Sequence, residues 1–182
     1  HSVGDEIERL KNALKAIDER YYTRNERDFS YELYHQLKNY NFSSDIEVSC
    51  ETRKQRFSFE DNIFDDPLIR KYFFGSNNNP NRDIWRFPDL LIHEYKSKKH
   101  QQLVVEIKTA RNLNNTSILK DLSKLVVYCR GRLKYQHGIL IVVGVINTIP
   151  NEIIRKLLIR YPEIEIWIAE PGNIQPINAN TL

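Results

Sequence analysis

Three side chains in the stretch RFPDLLIHEYKSKKHQQLVVEIKTARN, residues 86–112, have the types and spacing to do chemistry together: Asp89, Glu106 and Lys108. Strand side chains alternate faces. In LVVEIK, Val104, Glu106 and Lys108 therefore share one face, and Val105 and Ile107 the other. Glu106 and Lys108 point the same way, about 7 Å apart at two rises of ~3.3 Å. Setting Asp89 antiparallel to Glu106 puts residue 90 opposite 105 and 92 opposite 103. The turn then centres between Ser97 and Lys98, inside the polar run YKSKKH. Directly opposed side chains lie about 4.5–5.5 Å apart at Cβ.

Two carboxylates at that separation repel each other, and burial makes their charge costly. A shared proton, an ion pair with Lys108 or a divalent cation would relieve the repulsion. Oxygen donors alone suit Mg2+, with Mn2+ able to substitute, because these ions take carboxylate, carbonyl and water in octahedral geometry. Asp89 and Glu106 are the candidate ligands, and the Ile107 carbonyl is a third. Lys108 is then placed to orient or deprotonate an attacking water, or to stabilise charge on a phosphate in its transition state. The plain alternative is a salt-bridge network at a sheet edge, which the apolar residues flanking both segments disfavour.

These residues need a hairpin, and the rest of the chain must hold it. Residues 4–21 carry Ile7, Leu10, Leu14 and Ile17 at helical spacing. A second helix is expected over 29–40, capped by Asp28 or Ser30, with Leu33 and Leu37 inward. DIEVSCET, 45–52, alternates as a strand does. Residues 57–85 read as a loop-rich insertion around the short apolar piece PLIRKYFF and the breaker run GSNNNPNRD. After the hairpin, strands near 86–94 and 102–109, a helix is expected over 117–130 with Ser117 as cap. GILIVVGVI, 138–146, is apolar throughout, as a strand covered on both faces would be. Helix 151–160 and strand 163–169 complete a strand–helix–strand unit, expected as a right-handed parallel crossover. Residues 170–182 read as an irregular tail. The order α-α-β-β-β-α-β-α-β predicts an α/β fold, a central mixed sheet flanked by helices, in one domain over 1–182.

Composition bounds the function. No apolar run reaches the roughly 18 residues that span a bilayer, so no membrane partner is expected. Two cysteines, Cys50 and Cys129, lie far apart and in no CxxC spacing, which fits a reducing, cytoplasmic setting and no zinc site. The histidines His35, His93, His100 and His137 follow no ligand spacing. His1-Ser2 reads as an appended scar, and a larger parent protein is left open. Charge is unevenly spread: residues 1–66 hold fifteen acids against ten Lys/Arg, whereas residues 96–134 hold ten Lys/Arg against two acids. A basic segment of this kind attracts phosphate backbones, although charge runs are more often simply solvated faces.

Pro88-Asp89, then sixteen residues, then Glu106-Ile107-Lys108 resembles the active-site signature of the PD-(D/E)xK nuclease superfamily, which includes many restriction endonucleases. The element order over about 28–146 is similar to that family's restriction-endonuclease-like core. A second ExK, Glu94-Tyr95-Lys96, lies only five residues past Asp89, too near to reach back across a hairpin. The resemblance implies a Mg2+-dependent endonuclease acting on nucleic acid, DNA above all, of a restriction-like or defence kind. Asp89 and Glu106 would be metal ligands and Lys108 the catalytic lysine. Glu32 is the best match to a supporting acid on the first core helix. Lys124 and Tyr128 have the spacing of a Gln-x-x-x-Tyr element, but lysine replaces glutamine, which argues against the RecB-like exonuclease branch. Lys124, Lys120, Arg111 and Arg86 are the candidate nucleic-acid contacts, and Trp85 is a residue that could stack on a base. A homodimer, common among enzymes that cut both strands, is a further implication. Two other readings stay open: a structure-specific repair or junction nuclease on the same fold, and a catalytically inactive nucleic-acid-binding or assembly domain.

Overall fold

The computed structural model describes residues 3–39, 46–50, 55–57, 60–75, 84–86, 88–94, 101–144, 146 and 151–182. In chain order the elements are α1 (Val3–Ala16), α2 (Glu26–Lys38), β1 (Ile46–Cys50), β2 (Gln55–Phe57), α3 (Pro67–Phe74), β3 (Ile84–Arg86), β4 (Leu90–Glu94), β5 (Gln101–Thr109), α4 (Asn115–Arg130), β6 (His137–Val143), α5 (Glu152–Arg160), β7 (Ile164–Glu170) and β8 (Asn173–Ile177). Short 3-10 turns stand at Glu19–Thr23, Asn62–Asp65 and Ala110–Asn112. Among the described residues no helix is long and apolar enough to cross a membrane.

Six strands form one mixed sheet in the order β1-β4-β5-β6-β7-β8, and β2 pairs with β3 separately. β1, β4 and β5 run antiparallel in turn, β5, β6 and β7 run parallel, and β8 returns antiparallel to β7. The expected α/β class with a mixed sheet between helices is what the chain forms. Alternation along the strands divides the core. Leu90, Ile92, Leu103, Val105, Ile107, Ile139 and Ile141 face α1 and α2, packing on Leu10, Leu14, Phe29, Leu33 and Leu37. Leu91, Val104, Leu140, Val142, Ile164 and Ile166 face α3, α4 and α5. β6 contributes to both clusters, which is why its sequence is apolar without alternation.

Helix boundaries follow side-chain caps. Asn25 caps α2 by accepting from the Asp28 amide, and Asn114 caps α4 in a reciprocal box with Ser117. The caps anticipated at Asp28 or Ser30 and at Ser117 thus move three residues or more toward the N-terminus, because an asparagine stands at each start. α1 stops at Ala16 rather than running on to 21, since Asp18 caps a fresh 3-10 turn by accepting from the Arg20 amide.

Two further expectations fail. The stretch 57–85, read as loop-rich, contains α3, and Phe57, Phe64, Ile69, Phe73 and Phe74 are all buried in the α4 side of the core. Asp66 caps α3 and its other carboxylate oxygen accepts from the Tyr161 hydroxyl, tying this segment to the end of α5. The tail is not irregular throughout: Pro171 and Gly172 turn the chain, Gly172 with φ +74°, and β8 follows. Pro176 lacks an N–H, which an edge strand tolerates.

α4 lies on the sheet through a close approach to β6. A Cβ at Gly138 would stand 2.9 Å from Ile164 Cδ1, 3.1 Å from Leu125 Cβ and 3.3 Å from Cys129 Sγ. Gly138→Ala is therefore expected to destabilise the chain by about 1–3 kcal/mol through overpacking, read from the midpoint of a urea melt. An unchanged midpoint would contradict the tight α4–β6 seat.

Candidate active site

The hairpin register brings the acids together. Leu90 pairs with Val105 and Ile92 with Leu103, as anticipated, with a register shift after Ile92. The turn placed at Ser97 and Lys98 lies outside the described residues. Asp89 precedes β4, so the Ile107 amide has no β4 backbone partner opposite it. The Asp89 Oδ2 atom accepts from that amide at 2.7 Å. This fixes the carboxyl across from Glu106, and the two carboxyls lie within hydrogen-bonding reach of each other. Glu106 is 3% exposed. Its β6 neighbours are Leu140 at its own level and, one side-chain row further on, Val142, so its environment is apolar on that side.

Burial is the first cause of every carboxyl shift here. It pushes Glu106 well above the usual carboxylate range; Lys124 opposes this, and the charges of Asp89 and Asp121 add to it. Asp89 is also raised by burial, offset in part by Glu106, the Ile107 amide and Lys124. Two carboxyls that touch in this way are stable with one proton between them. Burial would depress Lys124, but Glu106 and Asp121 together overcome it and hold the ammonium charged.

α4 supplies the counter-charges. Lys124 Nζ stands 2.9 Å from Glu106 Oε1, and Lys108 Nζ stands 3.2 Å from Asp121 Oδ2. Glu106 Oε1 nevertheless has no well-aligned hydrogen bond, so the Lys124 contact is an ion pair rather than a directed bond. Asp121 is raised by burial, against the pull of Lys108 and Lys124. Three carboxyls and two ammonium groups leave one negative charge over, which a proton or a cation must offset. Among the described residues no three His, Cys, Asp or Glu side chains converge as a complete metal site would. Asp89 and Glu106 are thus a two-carboxylate half-site. Its oxygen-only donors fit Mg2+ or Mn2+ completed by water and substrate oxygens.

The other anticipated residues divide. Lys108 joins the cluster, and Ile107 enters through its amide while its side chain is buried on the α2 side. Glu32 does not join: it accepts from Gln36 at 2.9 Å and lies 3.6 Å from His35, both on its own helix. The acid of α2 that reaches β5 is Glu26, accepting from the Thr109 amide at 3.1 Å. Glu26 stands one turn earlier, in the first turn of the helix, which had been read as lying outside it. Lys124 is occupied by Glu106 rather than presented outward, and Tyr128 is buried against the Phe57 and Tyr135 rings. Lys120 is exposed on α4, apart from the acids. Arg111 is exposed past the end of β5, donating to the Arg24 carbonyl at 3.2 Å. Arg86 belongs to β3, its side chain outside the described residues, as is that of Trp85. Asp121 escaped sequence reasoning; its signal was an acid three residues after Ile118 and four before Leu125, in line with the buried face of a helix.

No family model, no curated protein and no solved structure matches this chain.

Raised carboxyls favour the folded state when protonated and lose that contribution as pH rises through their folded values. Asp89→Asn keeps an acceptor for the Ile107 amide and removes one of the facing charges. It is expected to raise the melting temperature near pH 8 by a few degrees, about 1 kcal/mol, with the gain fading toward about pH 5. A gain that grew on acidification would contradict the assignment. For the wild type, millimolar Mg2+ or Mn2+ should raise the melt more near pH 8 than near pH 5.5, since protons compete for the same oxygens.

Proposed function

We propose that this chain is a Mg2+-dependent nuclease, with Mn2+ able to substitute, that hydrolyses phosphodiester bonds of nucleic acid, DNA above all. One observation carries the reading: two buried carboxyls from adjacent strands meet, and a lysine follows one position along the same strand face. Buried like charges are costly, and sites that concentrate them are more often chemical than structural. The PD…ExK spacing in this register supports the same reading, as does the basic stretch that includes α4.

Asp89 and Glu106 would hold the ion, with Ile107 as a backbone donor. When bound, Mg2+ would polarise the phosphate and acidify water at the site. Lys124, relieved of Glu106 by the cation's charge, is free to meet a phosphate oxygen. Lys108, held by Asp121 at 3.2 Å, is oriented along the sheet toward the reacting phosphorus. Its ammonium stabilises the charge that grows on the nonbridging oxygens, or steers the water that attacks. Asp121 positions Lys108 and does not itself touch substrate. A restriction-like or defence endonuclease of the cytoplasm is the setting this chemistry suits, and a homodimer would let it cut both strands.

The rival is a domain that binds nucleic acid and never cuts, with the Lys124–Glu106 pair as a permanent filling of the site. Incubating supercoiled plasmid with Mg2+ or Mn2+ separates them. The wild type should nick or linearise it, and Lys108→Ala and Glu106→Ala should each lower the rate at least ~100-fold. Glu106→Ala should retain binding in a gel-shift assay. A wild type that cuts neither DNA nor RNA with either ion removes the nuclease reading.

A further inference from the structure

Beyond the acids, β5 and β6 end in a crevice. A cavity of about 460 Å3 opens there, with Thr109, Ala110, Val143 and Gly144 as its floor and Tyr22, Thr23, Arg24 and Arg111 as its walls. Its volume falls within the roughly 300–1,000 Å3 of ligand sites, and the carboxyl ends of strands in open α/β sheets are where ligands dock. Gly144 has φ +114°, and a Cβ there would stand 3.2 Å from Ala110 Cβ. Any side chain at 144 would be strained and would crowd Ala110, so glycine keeps the floor open.

The two guanidinium groups decide the ligand class. Among the described residues neither Arg24 nor Arg111 has a carboxylate within ion-pair distance. Arg24 lies 4.6 Å over the Tyr21 ring, and Arg111 bonds only the Arg24 carbonyl. The nearby carboxyl of Glu26 is turned to the Thr109 amide. The second crevice, beside Gly131, is different: its Arg130 pairs with Glu163 and its Arg132 with Asp61. Unpaired arginines in a concavity suit phosphate, which their planar forks grip through paired hydrogen bonds.

We infer that this crevice is a second phosphate subsite, in which Arg24 and Arg111 hold a phosphate of the same nucleic-acid strand whose scissile phosphate lies at Asp89 and Glu106. This rests on the nuclease reading above for the identity of the strand. Arg111 follows Lys108 by three residues, within roughly 10 Å at strand spacing. Successive phosphates advance roughly 3.4 Å along a duplex axis, so the held phosphate lies two or three nucleotides from the cut. The diacid faces α4 and the crevice lies toward α2, so the strand passes across the carboxyl ends of β5 and β6. Strand curvature imposed by these two anchorages would favour flexible, single-stranded or frayed substrate.

The test is binding without divalent cation, which separates it from catalysis. Fluorescence anisotropy with a short labelled oligonucleotide should give a Kd at least ~10-fold weaker for Arg24→Ala/Arg111→Ala than for wild type. The slope of log Kd against log salt should fall by roughly 1.5–2. Protection of wild-type arginines from phenylglyoxal, read by mass spectrometry, keeps the proposal testable should the double variant misfold. Bound oligonucleotide should shield Arg24 and Arg111 and leave the exposed Arg155 of α5 reactive. Equal Kd values in a folded variant, or no shielding, overturn the subsite. Shielding by a nucleoside monophosphate at micromolar concentration, with nothing added by the oligonucleotide, also overturns it in favour of a small-molecule site. Shielding without cutting in Mg2+ keeps the subsite and removes the nuclease reading; cutting without shielding does the reverse.

Discussion

The structure turns on the contact between β5 and α4, where Glu106 is buried against an apolar sheet and Lys124 faces it. An isolated carboxylate in such a place would cost several kcal/mol. The chain compensates with Lys124, with the proton that Glu106 and Asp89 can share, and with Lys108 and Asp121 as a second pair alongside. None of these groups could be relocated singly. Asp89 is held by the Ile107 amide, which depends on β4 beginning at Leu90. Lys124 and Asp121 depend on the seat of α4, which depends on Gly138. A hydrophobic residue at 106 would make a simpler core, so the charge points to a use for it.

That use is written in what remains unbalanced. Three carboxyls against two lysines retain affinity for one more positive charge, and a site that was purely structural would have no need to keep it. The same cluster also performs structural work: Asp89 satisfies an amide at a strand end, and Glu26 satisfies another at Thr109. Both roles are compatible, because one carboxylate oxygen can accept from backbone while the other faces the site.

Much of this was legible from residue pattern because strands have a rigid two-residue period. Pairing Asp89 with Glu106 required only that period, a polar turn and apolar flanks, and Leu90–Val105 and Ile92–Leu103 pair as those rules demand. Helix-borne partners were harder. The choice between Glu26 and Glu32 turns on where α2 begins, and a start at Asn25 rather than Asp28 moves the helix's first turn onto the end of β5. Lys124 looks like a solvated lysine until α4 is laid on the sheet, and Asp121 has no local signature beyond its place on the buried face. The β8 strand was signalled by Pro171-Gly172, a turn pair, but its edge position and Pro176 hid its period.

The central claim is that Asp89 and Glu106 converge on one cation. Crystals grown with Mn2+ and measured at the manganese absorption edge test it directly. The account predicts a single anomalous peak between the two carboxyls, about 2.1–2.2 Å from an oxygen of each, with Lys124 withdrawn from Glu106. Carboxyls still joined to each other and to Lys124 at millimolar Mn2+, with no anomalous density between them, would contradict it.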